Sequence, residues 1–373
     1  MGFPGIDVNM DQNFLEWAKA NQGKALVPNG LLEPRYATGG IGAAVVVRAS
    51  LYFERAFDPA IREAIADCFD DYCAAPECKL TFLWSNGKAA QPFARAKPLR
   101  AAASKLGPED RFDFCYVGGE QASDASFWRF EVVGQRQWQE KMGNRGLNSL
   151  AFSWPVVAVQ ENPDAFAKLF FDAARRLGAV QGQAGFAVNL SPTTPHENEA
   201  TEYWIAQIMP GLDVGDPGST SARDLKGKIK TVNWLTAIDK PMLDAVGGIR
   251  ALMSELPPSW FAIGDYGAGV IIRAGVLPES GLSDREEHPP FLPPAYVVLD
   301  KALRRVRAES MDILQRGTVN AGAPVYNTRE STAVWLRRFE VGDHELLSAK
   351  AAVLKTPRLP KGSIPYPIVA GPV

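Results

Sequence analysis

The stretch AAVVVRASLYFERAFDPAIREAIADCFDDYCAAPECKLTFLW, residues 43 to 84, decides the fold class. Ala43 to Phe53 is apolar and β-branched, which reads as a strand. Asp58 supplies a helix N-cap, and Pro59 suits the first helical position, where no N–H is needed. Ile61, Ile65, Cys68, Phe69 and Tyr72 then recur at the spacing of one buried helical face. Lys79 to Trp84 (KLTFLW) reads as a returning strand.

The same order of elements occurs twice more. Ser149 to Val159 opens the second unit, Asn162-Pro163 starts its helix, and Phe166, Leu169, Phe170, Ala173 and Leu177 form one stripe before Gly178 and a strand at Gly185 to Leu190. The third runs from Ile229 to Ile238, breaks at Asp239 and Pro241, and shows Met242, Val246, Ile249, Met253 and Leu256 at helical spacing before Gly269 to Ala274. What repeats is the pattern, not the residues, so duplication and the commonness of the β-α-β arrangement both account for it.

Arg111 to Val117 and Ser126 to Val133, joined through Gly118-Gly119-Glu120, predict an antiparallel hairpin. Pro294 to Arg307 predicts a late helix, with Tyr296, Leu299 and Leu303 on one side. Beyond it the pattern is irregular, and the proline-rich tail Pro357 to Val373 can be neither continuous helix nor central strand; it is expected to wrap the surface in extended form. The expectation is an α+β fold: a mixed sheet of repeated β-α-β units with an added hairpin. The halves would be 1–145 and 146–310, followed by an irregular extension over 311–373, or all would form one continuous domain.

With 373 residues, 46% hydrophobic and 22% charged, the chain has the composition of an ordinary globular protein that buries a large core unaided. Its formal charge of −2 gives no general attraction to a polyanion, so direct nucleic-acid binding is not expected. The clusters Arg304, Arg305, Arg307 and Arg337, Arg338 read as solvated surface rather than a basic patch. Cys68, Cys73, Cys78 and Cys115 match no common zinc spacing and read as reduced thiols, Cys68 in the core. No basic leader and no run of roughly 18 apolar residues is present, which points to the cytoplasm and away from a membrane.

Catalytic patterns are missing: there is no P-loop, HExxH or G-x-S-x-G. Gly39 to Gly42 precedes a strand rather than opening a helix, and Asp265-Tyr266-Gly267-Ala268-Gly269 leads into Val270-Ile271-Ile272, as a hairpin turn does. No catalytic residue, cofactor or metal site is therefore expected. Asp284, Glu286, Glu287 and His288 form an acidic cluster that reads as an exposed loop before a metal site.

Several stretches together resemble the type VI secretion immunity family for VRR-Nuc effectors, the TsiV family. They are Asn144 to Ser149 running into Phe152-Ser153-Trp154-Pro155, Met209 to Asp213, Ile229 to Thr236, Leu243 with Gly247-Gly248, and Asp265 to Gly275, with Pro278 and Tyr296 beyond. Their order fits from about residue 45 to 310. The resemblance implies a cytosolic antidote that binds a cognate nuclease effector and obstructs its DNA-binding or active surface. Trp154, Trp234, Gly247, Gly248 and Gly275 read as determinants of the fold.

Inhibition of a nuclease with a basic groove calls for an exposed acidic or plugging element. The candidates are Asp213 and Asp216 after Pro210, Asp265 and Tyr266 at the third unit's hairpin, and the loop of Asp284, Glu286 and Glu287, with Tyr a typical interface anchor. Two other classes remain. One is an enzyme with a dispersed site built from Asp284, Glu287, His288 and Arg145, which a deep pocket holding perturbed carboxylates would favour. The other is a secretion scaffold with symmetric interfaces.

Overall fold

The computed structural model describes residues 31–32, 40–142, 146–283, 289–317 and 324–368. Arg145 and the cluster Asp284, Glu286, Glu287 and His288 lie outside them.

The long apolar run expected as the first strand forms β2, Ala43–Phe53, preceded by the short β1, Leu31–Leu32. The strands that follow are β3 (Phe82–Ser85), β4 (Gln91–Pro92), β5 (Phe112–Val117), β6 (Arg129–Gly134), β7 (Asn148–Trp154), β8 (Gln181–Leu190), β9 (Leu235–Asp239), β10 (Phe261–Asp265) and β11 (Gly269–Ala274). They make one sheet in the order β10-β11-β9-β8-β2-β7-β6-β5-β3-β4, with β1 added to β2. Among the described residues, the helices of eight or more residues are α1 (Pro59–Cys73), α2 (Pro163–Leu177), α3 (Pro195–Ile208), α4 (Gly248–Glu255), α5 (Pro294–Leu303), α6 (Arg329–Leu336) and α7 (Asp343–Val353). The fold is α+β.

The three β-α-β successions form, with the expected caps: Asp58 accepts from Ala60 N, Asn162 from Ala165 N and Asp239 from Met242 N. Two of their strands are shorter than expected: the one read over Ser149 to Val159 stops at Trp154, where Pro155 starts a short helix, Val156–Glu161, and the one read over Ile229 to Ile238 begins only at Leu235. The mixed sheet does not. Every pairing between named strands is antiparallel, because each helical crossover passes over at least one strand supplied from elsewhere. β2 lies between β7 and β8, and β11 between β9 and β10. Local periodicity shows the order of elements but not which distant strand is inserted between them. The sheet is thereby continuous across residue 145, since β2 is hydrogen-bonded on both sides to strands from later in the chain.

Alternation along the strands gives the sheet two unlike faces. One carries Val45, Val47, Ala49, Leu51 and Phe53 beside Leu150, Phe152 and Trp154, and is covered by α1 and α2. Tyr72 of α1 sets its ring 5.4 Å from Phe130 and donates its hydroxyl to Ser153 O. Phe166 of α2 lies 5.5 Å from both Phe152 and Trp154 and 6.1 Å from the stacked ring of Trp234. The other face is polar: Arg48, Ser50 and Tyr52 on β2 stand in register with Ser153, Ala151 and Ser149 on β7, and Arg129 and Glu131 on β6 continue the rows.

Three further expectations need correction. The helix expected from Met242 to Leu256 is split into Lys240–Ala245 and α4, because Gly247 and Gly248 both adopt positive φ, at 94° and 79°, between them. The segment after residue 310 is not wholly irregular, for it holds α6 and α7; α7 has Ala349 and Val353 buried on one side and Leu347 and Leu354 exposed on the other, so no single apolar stripe marks it. The arginine clusters are not simply solvated. Arg307 is buried against Asp300 and Glu340, and Arg338 lies 3.8 Å over the Trp335 ring and donates to Pro210 O and Thr231 Oγ1. Burial pushes the Arg338 guanidinium down to about 10.

Candidate functional site

The polar face of the sheet opens into a cleft of about 400 Å³. Its floor is β2, β6, β7 and β8, and its walls are the turn after β8, the start of α3, the short helix Pro217–Ser221 and the segment 314–316. Among the charged residues that line it are Arg48, Arg129, Glu131, Glu199, Glu202, Asp216 and Arg316.

Beneath the cleft lies a buried ion cluster. Asp213, 2% exposed, receives Arg48 Nη2 at 3.2 Å and Lys230 Nζ at 2.7 Å. Burial alone would raise the Asp213 carboxyl, but Lys230 and Arg48 outweigh it and hold the group below the usual carboxylate range. Arg48 also donates to Val188 O and Gly215 O, so this one side chain ties β2 to β8 and to the loop that follows α3.

Two carboxylates one helical turn apart on α3 hold the chain around the cleft. Glu202 accepts from Gly215 N at 3.0 Å and from Gln315 Nε2 at 2.6 Å. Glu199 accepts from Arg316 N at 3.2 Å and Gly317 N at 3.1 Å, with His196 Nδ1 3.1 Å away. Burial pushes the Glu202 carboxyl up to about 7, against the lowering effect of Arg48. On the far side Arg129 pairs with Glu131 at 2.7 Å and donates to Leu190 O; burial raises the Glu131 carboxyl, and Asp216 adds to the rise while Arg129 opposes it.

The candidates named from the sequence are not brought together. Asp213 is interior, not on a protruding element, because two buried cations need its charge. Asp216 lines the cleft and caps Pro217–Ser221 by accepting from Ser219 N. Asp265 is exposed at the β10–β11 hairpin, well away along the sheet. Tyr266 is not an exposed anchor: it is 2% exposed and donates its hydroxyl to Ala179 O at 2.7 Å. Asp284, Glu286 and Glu287 lie outside the described residues.

The sequence reading missed Arg48, Glu131, Glu199, Glu202 and Lys230. A signal existed for Arg48, a lone charge inside an otherwise apolar strand, and for the alternating Gln181 and Gln183 of β8. Helix α3 was missed because its buried face includes Asn198, Glu199 and Glu202, which breaks the apolar stripe. Among the described residues, no group of three or more His, Cys, Asp or Glu is placed to hold a metal, and no helix is long and apolar enough to cross a membrane.

The family described as type VI immunity for VRR-NUC matches this chain over residues 64–339, and the chain belongs to it. A solved structure of a Pseudomonas aeruginosa T6SS protein, PA0821, superimposes with a TM-score of 0.84 at 34% identity, over 96% of this chain and 98% of that one. No curated protein matches. The matched residues reach beyond about position 310, where the resemblance read from the sequence ends, and take in α6.

Proposed function

We propose that this protein binds a cognate VRR-Nuc effector in the cytoplasm and neutralises it without chemistry of its own, by covering the nuclease's DNA-binding or active surface. The family membership carries this reading, and the match includes every cleft-lining residue from Arg111 to Arg316. The cleft mouth is the contact surface the geometry favours. It has a rigid floor of hydrogen-bonded strands, proline-bearing walls at Pro192, Pro195 and Pro217, and charges of both signs at Arg316, Asp216 and Glu131. Asp265, and Asp284, Glu286 and Glu287 outside the described residues, remain candidate peripheral contacts, where acidic side chains meet a basic groove and raise the association rate more than the affinity. Asp213 and Tyr266 act only through the fold. Mixing the purified chain with the nuclease domain and measuring mass in solution tests the proposal: a stoichiometric complex supports it, and two separate species at micromolar concentrations count against it.

One observation favours a second reading, an enzyme with a dispersed site: the cleft does contain carboxylates raised by burial, Glu131 and Glu202. Both are held in structural bonds, Glu202 by Gly215 and Gln315 and Glu131 by Arg129. Turnover that survives in the wild type and disappears in Glu131→Gln would move the weight to this reading.

A further inference from the structure

The sheet edge at β10 is covered by the chain's own C-terminal segment. Asp265 N donates to Tyr366 O at 2.8 Å, Ile368 N donates to Ile263 O at 3.1 Å, and Gly264 faces Pro367 in an antiparallel bridge between them. In this short strand Tyr366 and Ile368 face β10 with their backbone groups, while Pro365 and Pro367 lack the donors that a further strand would need. The segment thus completes the sheet and ends it, the arrangement expected where an edge is protected from outside pairing.

Side chains fix the register. Ile364 is 4% exposed and seats where β10 has no side chain: a Cβ on Gly264 would lie 2.6 Å from Ile364 Cγ2 and 2.5 Å from Phe171 Cε1. The Tyr366 hydroxyl donates to Asp172 Oδ1 at 3.1 Å, and the Arg175 guanidinium lies 4.6 Å over its ring. Arg273, buried and paired with Asp164, donates to Ser363 O at 2.7 Å. An apolar groove of about 260 Å³ runs alongside, between Met253, Leu256 and Phe261 on one wall and Leu359 and Pro360 on the other. The linker from α7 is tied at Thr356 O, by Trp260 Nε1, and at Leu359 N, by Ser259 O, while Pro357, Arg358, Pro360, Lys361 and Gly362 are exposed.

We infer that β10 and its groove form a strand-accepting site for an extended apolar peptide with prolines at alternate positions, that its resident ligand is Ser363–Ile368, and that the same segment of a second copy binds there when the resident one is released. The recognition is that of β-strand addition: backbone bonds hold the peptide, and pockets for alternate side chains, here those of Ile364 and Tyr366, select it. In the intact chain the covalent linker gives the resident segment an effective concentration in the millimolar range, which keeps the site closed to competitors.

The test uses the full chain with a protease recognition sequence inserted between the exposed Lys361 and Gly362, so that folding takes place with the tail in place. After cleavage, a fluorescent peptide of residues 362–373 is added. The site predicts one labelled peptide bound per protein, no uptake by uncut wild type, and at least tenfold weaker uptake of the peptide carrying Ile364→Asp. The uncut Ile364→Asp chain, shown to be folded by circular dichroism, takes up the wild-type peptide because its own tail no longer seats. Retention of the cut fragment without exchange, or its departure without uptake of the labelled peptide, would overturn the inference.

Discussion

Arg48 in the middle of β2 and Asp213 in the loop after α3 meet 3.2 Å apart, both nearly inaccessible to solvent, and Lys230 completes the cluster from the opposite side of the carboxylate. The contact joins the central strand to the loop that forms one wall of the cleft. A charge that looked like an exposed acidic contact in the sequence is a structural counter-ion.

Removing that counter-ion leaves Arg48 and Lys230 buried with backbone carbonyls in place of the carboxylate they share. Asp213→Ala is expected to destabilise the fold by about 3–5 kcal/mol, the usual cost of breaking a buried pair from one side. Urea denaturation measures it, and a loss below about 1 kcal/mol would show that the cluster is hydrated rather than interior.

Glu202 makes stability depend on pH. Its folded pKa of about 7 lies above the ordinary carboxylate value, so between about pH 4.5 and 7 the folded state binds more protons than the unfolded chain. The contribution is therefore complete at the acidic end and declines as pH rises through 7, by up to about 3 kcal/mol. Glu202→Gln should flatten the slope between pH 5 and 8. It should also lose about 1–2 kcal/mol at pH 5, because the new amide faces the Gly215 N–H or the Gln315 amide with a donor. An unchanged slope assigns the dependence to another group, with half-buried Glu279, also pushed up to about 7 by desolvation, first in line.

Phe166 is the ring through which α2 meets the aromatic core. Phe166→Ala should cost about 3–5 kcal/mol. Leu347→Ala, at a side chain 67% exposed on α7, should stay within about 0.5 kcal/mol. Equal effects in thermal denaturation would contradict the assignment of the two faces.

Much of the fold was legible because burial coincided with apolarity. The strand at Ala43–Phe53, the stripes of α1 and α2, the hairpin of β5 and β6 and the proline caps all follow from side-chain period and turn chemistry. The cleft was not legible, because there burial and apolarity part company. Helix α3 buries Glu199 and Glu202, and β2 buries Arg48, so a reading that seeks apolar stripes passes over the residues that build the site. Strand order was hidden for another reason: β2 is inserted between β7 and β8 by contacts more than ninety residues apart in sequence, which no local pattern encodes.

If the cleft mouth meets the effector, charge at its rim should tune binding without touching stability. Arg316→Glu, at an exposed side chain, should change the association rate about tenfold at low salt, with the difference shrinking as salt rises. Stopped-flow mixing with the nuclease domain measures the rate. No change at any ionic strength would place the interface elsewhere on the molecule.

DNA cleavage by the cognate VRR-Nuc domain, titrated with this protein, tests the antidote function head-on. Activity is expected to fall linearly to zero at a fixed molar ratio, with Leu347→Ala leaving the titration unchanged. Undiminished cleavage in the presence of excess folded protein would contradict the antidote reading.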